Sequence, residues 1–556
     1  MKRLFALVLA IVMLVTVLAA CNNTTDVPAT PPPDSGDTGD TGDTGDTGDT
    51  TEPAPSNGRV PVHILTSEND FTEKPLASGL PMWDVIMEIT NTDITWEAVA
   101  GGEQLQTVTT TRLAADLDLP DIINCSEVEI PAIVRYGQAG TFINFDDYSD
   151  YMPNLYEVYS DWPALRQQTL SPDGARWWVS TMGFNGGACM YAMFLRRDLL
   201  DEQGLSMPTT TEEFYETCKL LKESYPDMYV SICPSLITFP RGSFAGSFGL
   251  PELFRFNSYE GTWNVDASGT VSCPLIMDEF KDWVKYWRRM YQEDILDPDS
   301  VLGDMSYEDW GVKQAENKVF ALTNSNHMWK NFNANASEWG ADYVGLIAPP
   351  TDTGNAPIIW KNPMGNYGWR FCVTTKAIDR IDSVLGLLDW LYSYDGGISF
   401  AYGIQGENWE YNDAGEPYFL PDTAAAIQET SRSEVSRTYG FGWLWLPFFQ
   451  DYSPYVFGTT EGWPPEEIDR VTNIMESPNA KWLPVFDSVN EDEMNIIENV
   501  ITRDWETYVE EITRDFLTGA KDIDKEWDDY VATIREMAID ELTPIWQARY
   551  DRMNNG

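Results

Sequence analysis

Basic residues are scarce in this chain: 36 lysines and arginines stand against 88 aspartates and glutamates, a formal net charge of −52 over 556 residues. A nucleic acid is held through a basic footprint and released counterions, so this balance excludes DNA and RNA as partners of the folded body. Histidine is nearly absent, with 2 residues, which removes paired-histidine metal centres and leaves little general-base capacity near neutrality. There is no Cys-x-x-Cys, no zinc-type cysteine and histidine spacing, no G-x-S-x-G elbow, no H-E-x-x-H helix and no phosphate loop. Most metallo-, serine and nucleotide hydrolases therefore have no counterpart here. Neither a metal nor a cofactor is expected.

Long apolar runs are missing too, except at the start. Met1-Lys2-Arg3 is a positive n-region, Leu4 to Leu18 an apolar h-region broken only by Thr16, and Leu18-Ala19-Ala20-Cys21 a small-residue close before a cysteine. The run is short for a membrane span. Residues 1–20 read as an export signal, and Cys21 resembles the lipid acceptor of bacterial lipoproteins, which anchors a water-exposed body to the extracytoplasmic face of the cell membrane. Cys125, Cys189, Cys218, Cys233, Cys273 and Cys372 remain. Their spacing singles out no disulfide pairing, and a chain this large needs none, so they read mainly as buried free thiols.

From residue 21 to 58 the composition is Pro-rich and then Gly-Asp-Thr repeated from Gly36 to Thr50, a self-repelling disordered tether. Its regular aspartates lack the loop that fixes a calcium shell. The folded body opens at Val60-Pro61-Val62-His63-Ile64-Leu65, a strand-like run. Helical periodicity follows in Phe280, Trp283, Val284, Trp287 and Met290 and again in Val384, Leu385, Leu387, Leu388 and Leu391. Thr209-Thr210-Thr211-Glu212-Glu213 offers two overlapping capping boxes. Strand-like runs at Leu119 to Asn124 and Phe371 to Thr375 alternate with these helices, an α/β pattern, and the chain from Asn490 onward is nearly all helical.

Several segments, in this order, resemble the extracellular solute-binding proteins of family 1, the lipoprotein receptors of carbohydrate ABC transporters. They are Ala114-Ala115-Asp116-Leu117-Asp118-Leu119-Pro120-Asp121-Ile122, with Leu117 where the family usually has Gly; Leu195-Arg196-Arg197-Asp198-Leu199-Leu200; Tyr402-Gly403-Ile404-Gln405-Gly406; and Trp527-Asp528-Asp529-Tyr530-Val531. The aromatic stretch Phe441 to Phe449 matches no family motif.

The resemblance implies an α/β, two-lobed periplasmic-binding-protein-like fold of type II, with a hinge and a largely helical C-terminal part. On that basis residues 59–188 and 374–420 form the N-terminal lobe, and 189–373 and 421–556 the C-terminal lobe. The chain crosses near Gly186 to Met190 and again near Trp369 to Thr375. It also implies a saccharide ligand, permease subunits as partners, a monomer, and no catalysis.

A sugar presents hydroxyls at its rim and C–H groups on its faces, so its site needs flat apolar surfaces flanked by carboxylates, amides and arginine. By similarity to maltose-type receptors, contacts come from Ser67 and Glu68 after the first strand and from Asn124 and Ser126 after Leu-Pro-Asp-Ile. Asn185 in the glycine-rich crossover, Asn326 and Trp329 beyond Val319-Phe320-Ala321-Leu322, and Trp369 and Arg370 before Phe371 complete the candidate set. Two other classes remain open on the residues alone: a secreted glycoside hydrolase, which needs only a carboxylate pair, and an oligopeptide-binding or adhesin lipoprotein.

Overall fold

A computed structural model describes residues 58–68, 74–184, 191–237, 243–251, 263–303, 305–325, 332–333, 335–346, 359–361, 365–413, 415, 417–430, 432–442, 446–451, 480–482, 484–501 and 503–555. The export signal, Cys21 and the tether up to residue 57, Asn185 with the crossover to Met190, and Asn326 and Trp329 lie outside the described residues. Among the described residues no helix is long and apolar enough to cross a membrane.

Ten strands build the two main sheets: β1 (Val60–Glu68), β2 (Thr92–Ala100), β3 (Ile122–Asn124), β4 (Val179–Phe184), β5 (Tyr191–Arg196), β6 (Tyr229–Ile232), β7 (Val319–Ser325), β8 (Tyr343–Leu346), β9 (Gly365–Val373) and β10 (Phe449–Asp451). The larger sheet runs β10-β4-β9-β3-β1-β2 and the smaller β8-β5-β7-β6. β1 is parallel to β2 and β3, so these three present their carboxyl ends at one edge. β9 enters antiparallel between β3 and β4, and β10 lies parallel to β4 at the far side.

Successive side chains of a strand point to opposite faces, which gives the larger sheet two cores. Val62, Ile64, Ile122, Phe371 and Val373 face one, against Val384, Leu385 and Leu388 of the helix Ile381–Tyr392. Leu65, Ile123 and Cys372 face the other, against Leu105 and Leu113 of the helix Gly101–Ala115. The smaller sheet is covered by the helix Asp278–Gln292, whose Phe280, Trp283, Val284, Trp287 and Met290 are all buried, and by Val509, Ile512, Trp527 and Tyr530 of the C-terminal helices. The capping signal is used once: Thr210 Oγ1 accepts from the Glu213 N–H at 3.0 Å, and the Glu213 carboxylate reaches back to the Thr209 N–H at 2.7 Å.

The family-type motifs prove to be joints of the scaffold. Asp121 is buried; its carboxylate accepts from the His63 N–H at 2.8 Å and pairs with Arg380 at 2.8 Å, tying β1 and β3 to the start of the next helix. Before it, the turn places Asp116 and Asp118 at φ 47° and 54° and leaves Leu117 exposed. The left-handed residues that a glycine would supply are thus the two aspartates on either side, a residue type that tolerates αL. Cys125, Cys218, Cys233, Cys273 and Cys372 are free and buried, whereas Cys189 lies outside the described residues.

Two boundaries differ from the sequence expectation. β9 belongs to the larger sheet from Gly365 on, so residues 365–373 are part of the first lobe rather than the second. Residues from Pro421 to Phe448 were assigned to the second lobe by the resemblance, yet Ile427, Val435, Phe441, Leu446 and Phe448 pack in the first lobe's core and β10 pairs with β4. The unmatched aromatic stretch is therefore core in its described parts, with the Phe448 ring 3.8 Å from that of Phe400. Apolar matching across the sheet, which has no local signature, decides this placement.

In the helix Trp505–Thr518, Glu506 and Glu510 stand one turn apart. Burial first, and the Glu510 charge second, push the Glu506 carboxyl up to about 7. The folded state then holds this proton more tightly than the unfolded one, so its contribution is full below the ordinary carboxyl value and is lost as pH rises toward 7. Glu506→Gln should flatten the fall in melting temperature between acid and neutral pH, an effect on the order of 1–2 kcal/mol after allowing for partial exposure. Equal pH profiles for the two proteins would refute that origin.

Candidate functional site

In sheets of this kind ligands sit outside the carboxyl ends of the strands, where loops and helix starts converge. Here that edge carries Thr66, Ser67 and Glu68 from β1 and Asn124 with Ser126 from β3. Gly101 and Gly102 follow β2, and Gly101, at φ 72°, lets the helix Gly101–Ala115 begin directly after that strand.

A hydrogen-bonded chain crosses the edge from β1 to β9. Asn124 Nδ2 donates to Thr66 Oγ1 at 3.2 Å, and Asn124 Oδ1 accepts from the Ser126 N–H at 3.0 Å and from the Ser126 hydroxyl. Ser126 Oγ accepts in turn from the Arg370 N–H at 3.2 Å, and the Ser126 carbonyl accepts from Arg370 Nη2 at 2.9 Å. The Cys125 N–H closes the ladder on the Arg370 carbonyl at 2.7 Å. Asn124 is 8% exposed and its amide is committed on both atoms, so its role is to set Ser126 and, through it, Arg370. Below this chain lie the thiols of Cys125 and Cys372; burial, then the hydrogen bond the Cys372 thiol makes to Cys125, pushes the Cys372 thiol up.

Glu68 and Glu127 flank the same edge. Both Glu68 carboxylate oxygens lie 3.2 Å from the Leu76 N–H. The Glu127 carboxylate rests against the first turn of the helix Gly101–Ala115, with Oε1 3.2 Å from where a Cβ on Gly102 would stand. The Glu127 carbonyl also accepts from Gln106 Nε2 at 3.1 Å, which fastens the loop to that helix.

Of the residues chosen from sequence, Asn124, Ser126 and Arg370 are thus joined directly, and Ser67 and Glu68 lie along the same edge. Trp369 is separated from Arg370: it packs against the core on the opposite face of the sheet, as the alternation of β9 requires. Thr66 and Glu127 belong to the same two loops from which contacts are expected, whereas Gly102 carries no signal of its own beyond its place after β2. Trp178 is core and Trp177 packs against it, with its Nε1 donating to Asp173 of the preceding turn at 3.0 Å. Among the described residues no group of three His, Cys, Asp or Glu side chains converges as a metal site.

The profile of the bacterial extracellular solute-binding protein family matches residues 81–398. The fructooligosaccharide ABC transporter substrate-binding protein FusA of Streptococcus pneumoniae serotype 4 is 22% identical over 459 residues, 78% of this chain and 80% of that protein. The FusA structure with fructo-nystose superposes with a TM-score of 0.68 at 16% identity, over 89% of this chain and 99% of that one. The alginate-binding protein AlgQ2 without calcium ion gives 0.66 at 19% identity, over 89% and 98%. These neighbours are two-lobed solute-binding proteins, and the likeness extends to this fold. FusA and AlgQ2 are binding proteins.

Proposed function

Because the chain belongs to the bacterial extracellular solute-binding protein family, we propose that it is the extracytoplasmic receptor of a carbohydrate ABC transporter. In this reading it is a monomer anchored through a lipid on Cys21 and held off the membrane by the Gly-Asp-Thr tether. It takes a saccharide between its lobes and delivers it to permease subunits.

One observation carries the reading. The Asn124–Ser126–Arg370 cluster fixes polar groups at the carboxyl edge of the larger sheet, where sheets of this kind receive a ligand. A receptor that binds more tightly when closed converts ligand binding into a change of shape that a membrane partner can read.

The full chain carrying Cys21→Ser, which leaves the lipid off, is to be titrated calorimetrically with mono- and oligosaccharides and with short peptides, while the same mixtures are assayed for products. A saccharide should bind with a dissociation constant in the micromolar range or below, about −8 kcal/mol or stronger, without turnover. Release of reducing ends would make the protein a hydrolase, and binding of peptides alone would make it a peptide receptor.

A further inference from the structure

We infer that the saccharide this protein binds carries a carboxylate, and that Arg370 is the side chain that receives it. The inference rests on the receptor reading and names the chemical class of its ligand.

Several arginines of this acidic chain take carboxylates, Arg176 pairing with Asp146, Arg196 with Asp198, Arg380 with Asp121 and Arg552 with Glu493, while Arg514 meets the Val301 carbonyl. Arg370 is partly buried at the ligand edge and its backbone is held on both sides by the loop after β3. Yet among the described residues its guanidinium meets only a neutral acceptor, the Ser126 carbonyl, at 2.9 Å. Its Nε is buried with no acceptor at all. A buried donor left unpaired costs free energy until something accepts from it. A guanidinium fork fits a carboxylate through two parallel bonds better than it fits a hydroxyl.

The two acids nearby do not fill that role. Glu68 is spent on the Leu76 N–H. Glu127 lies against the positive start of the helix Gly101–Ala115, which carries about half an elementary charge. Each anion at this edge is thus offset by N–H groups, while the Arg370 cation is offset by a neutral oxygen. The net charge of −52 acts weakly here, because charges beyond roughly 8 Å are screened at physiological salt. The local balance therefore favours an anionic group on the sugar, as in a uronic acid ring.

The test compares short oligouronates with their methyl esters, which keep the rings and remove the charge, and adds neutral gluco- and fructo-oligosaccharides. The protein is the full chain with Cys21→Ser. At least one oligouronate should bind about tenfold or more tightly than its ester, and less so as salt is raised. Arg370→Gln should collapse that ratio to near one, whereas Arg370→Lys, which keeps the charge, should restore part of it. Melting curves of both variants establish that they fold, and the lysine variant carries the test if the glutamine variant does not. Esters or neutral sugars that bind as tightly as the acids, or an Arg370→Gln variant that weakens both forms equally, would overturn the inference and leave the receptor reading intact. Failure of every saccharide to bind would overturn both.

Discussion

Arg176→Ala should lower the unfolding free energy by about 3–5 kcal/mol, read from the urea midpoint at unchanged m-value. The side chain is fully buried and holds four things at once. Its Nε donates to Asp146 at 3.0 Å, its Nη1 to the Arg166 carbonyl at 3.2 Å and to Thr169 Oγ1, and its guanidinium lies 4.5 Å from the centre of the Tyr159 ring. Burial alone would raise the Asp146 carboxyl. The hydrogen bond from Tyr156 and the Arg176 charge outweigh it and hold the group below its ordinary value. A depressed carboxyl contributes stability above its unfolded value and loses it as pH falls through the folded one, so the deficit of the variant should shrink in acid. Asp146 keeps 32% of its side chain in water and can rehydrate. Much of the loss therefore comes from the cavity and from the stranded Thr169 and Tyr159 partners. A change below about 1 kcal/mol would mean that water replaces the guanidinium without cost.

Gly403→Ala is the second large effect expected, about 2–5 kcal/mol from two separable sources. Gly403 closes the helix Tyr394–Tyr402 at φ 91° and ψ −142°, a conformation open in practice to glycine alone. A Cβ there would stand 2.5 Å from Asn408 Oδ1 and 2.7 Å from the Phe441 ring. Asn408 is fixed because its Oδ1 accepts from the Ile404 N–H at 2.9 Å, and Phe441 because it is buried in the core; Trp409 Nε1 also pins the Gly403 carbonyl at 2.9 Å. Adding Phe441→Leu to the variant relieves one clash and leaves the Asn408 contact and the backbone strain, so it should restore only part of the loss. Full restoration would show that crowding against Phe441 was the whole effect, and none that Asn408 and the backbone carry it.

The Gly403 joint also marks how far the sequence could be read. Tyr402-Gly403-Ile404 stood out by resemblance, and its glycine has a local cause that can be stated in dihedral angles. The same holds for the apolar faces of Asp278–Gln292 and Ile381–Tyr392 and for the Thr210 cap, all of which follow from near neighbours in sequence. The helix Gly101–Ala115 left no such trace, because it buries only Leu105, Thr109 and Leu113 among glutamines and threonines. At the site, Asn124, Ser126 and Arg370 were legible as types near strand ends. That Asn124 is consumed by Thr66 depends on the register of β1 against β3, which pairs Leu65 with Ile123, and that Arg370 comes to Ser126 depends on the register of β9 against β3, which pairs Phe371 with Asn124. Such long-range pairing is set by packing and not by local preference.

The position of β9 bears on how the protein is born. β3 and β4 are not neighbours in the larger sheet; the strand that joins them comes from residues 365–373, and β10 beyond it from residues 449–451. A growing chain that has reached Arg196 holds four strands of the first lobe with a gap at their centre. It cannot close that lobe until nearly two hundred more residues have followed, since non-local pairs pay for their loops before they gain contacts. The first lobe is thereby kept open while the second is still being made.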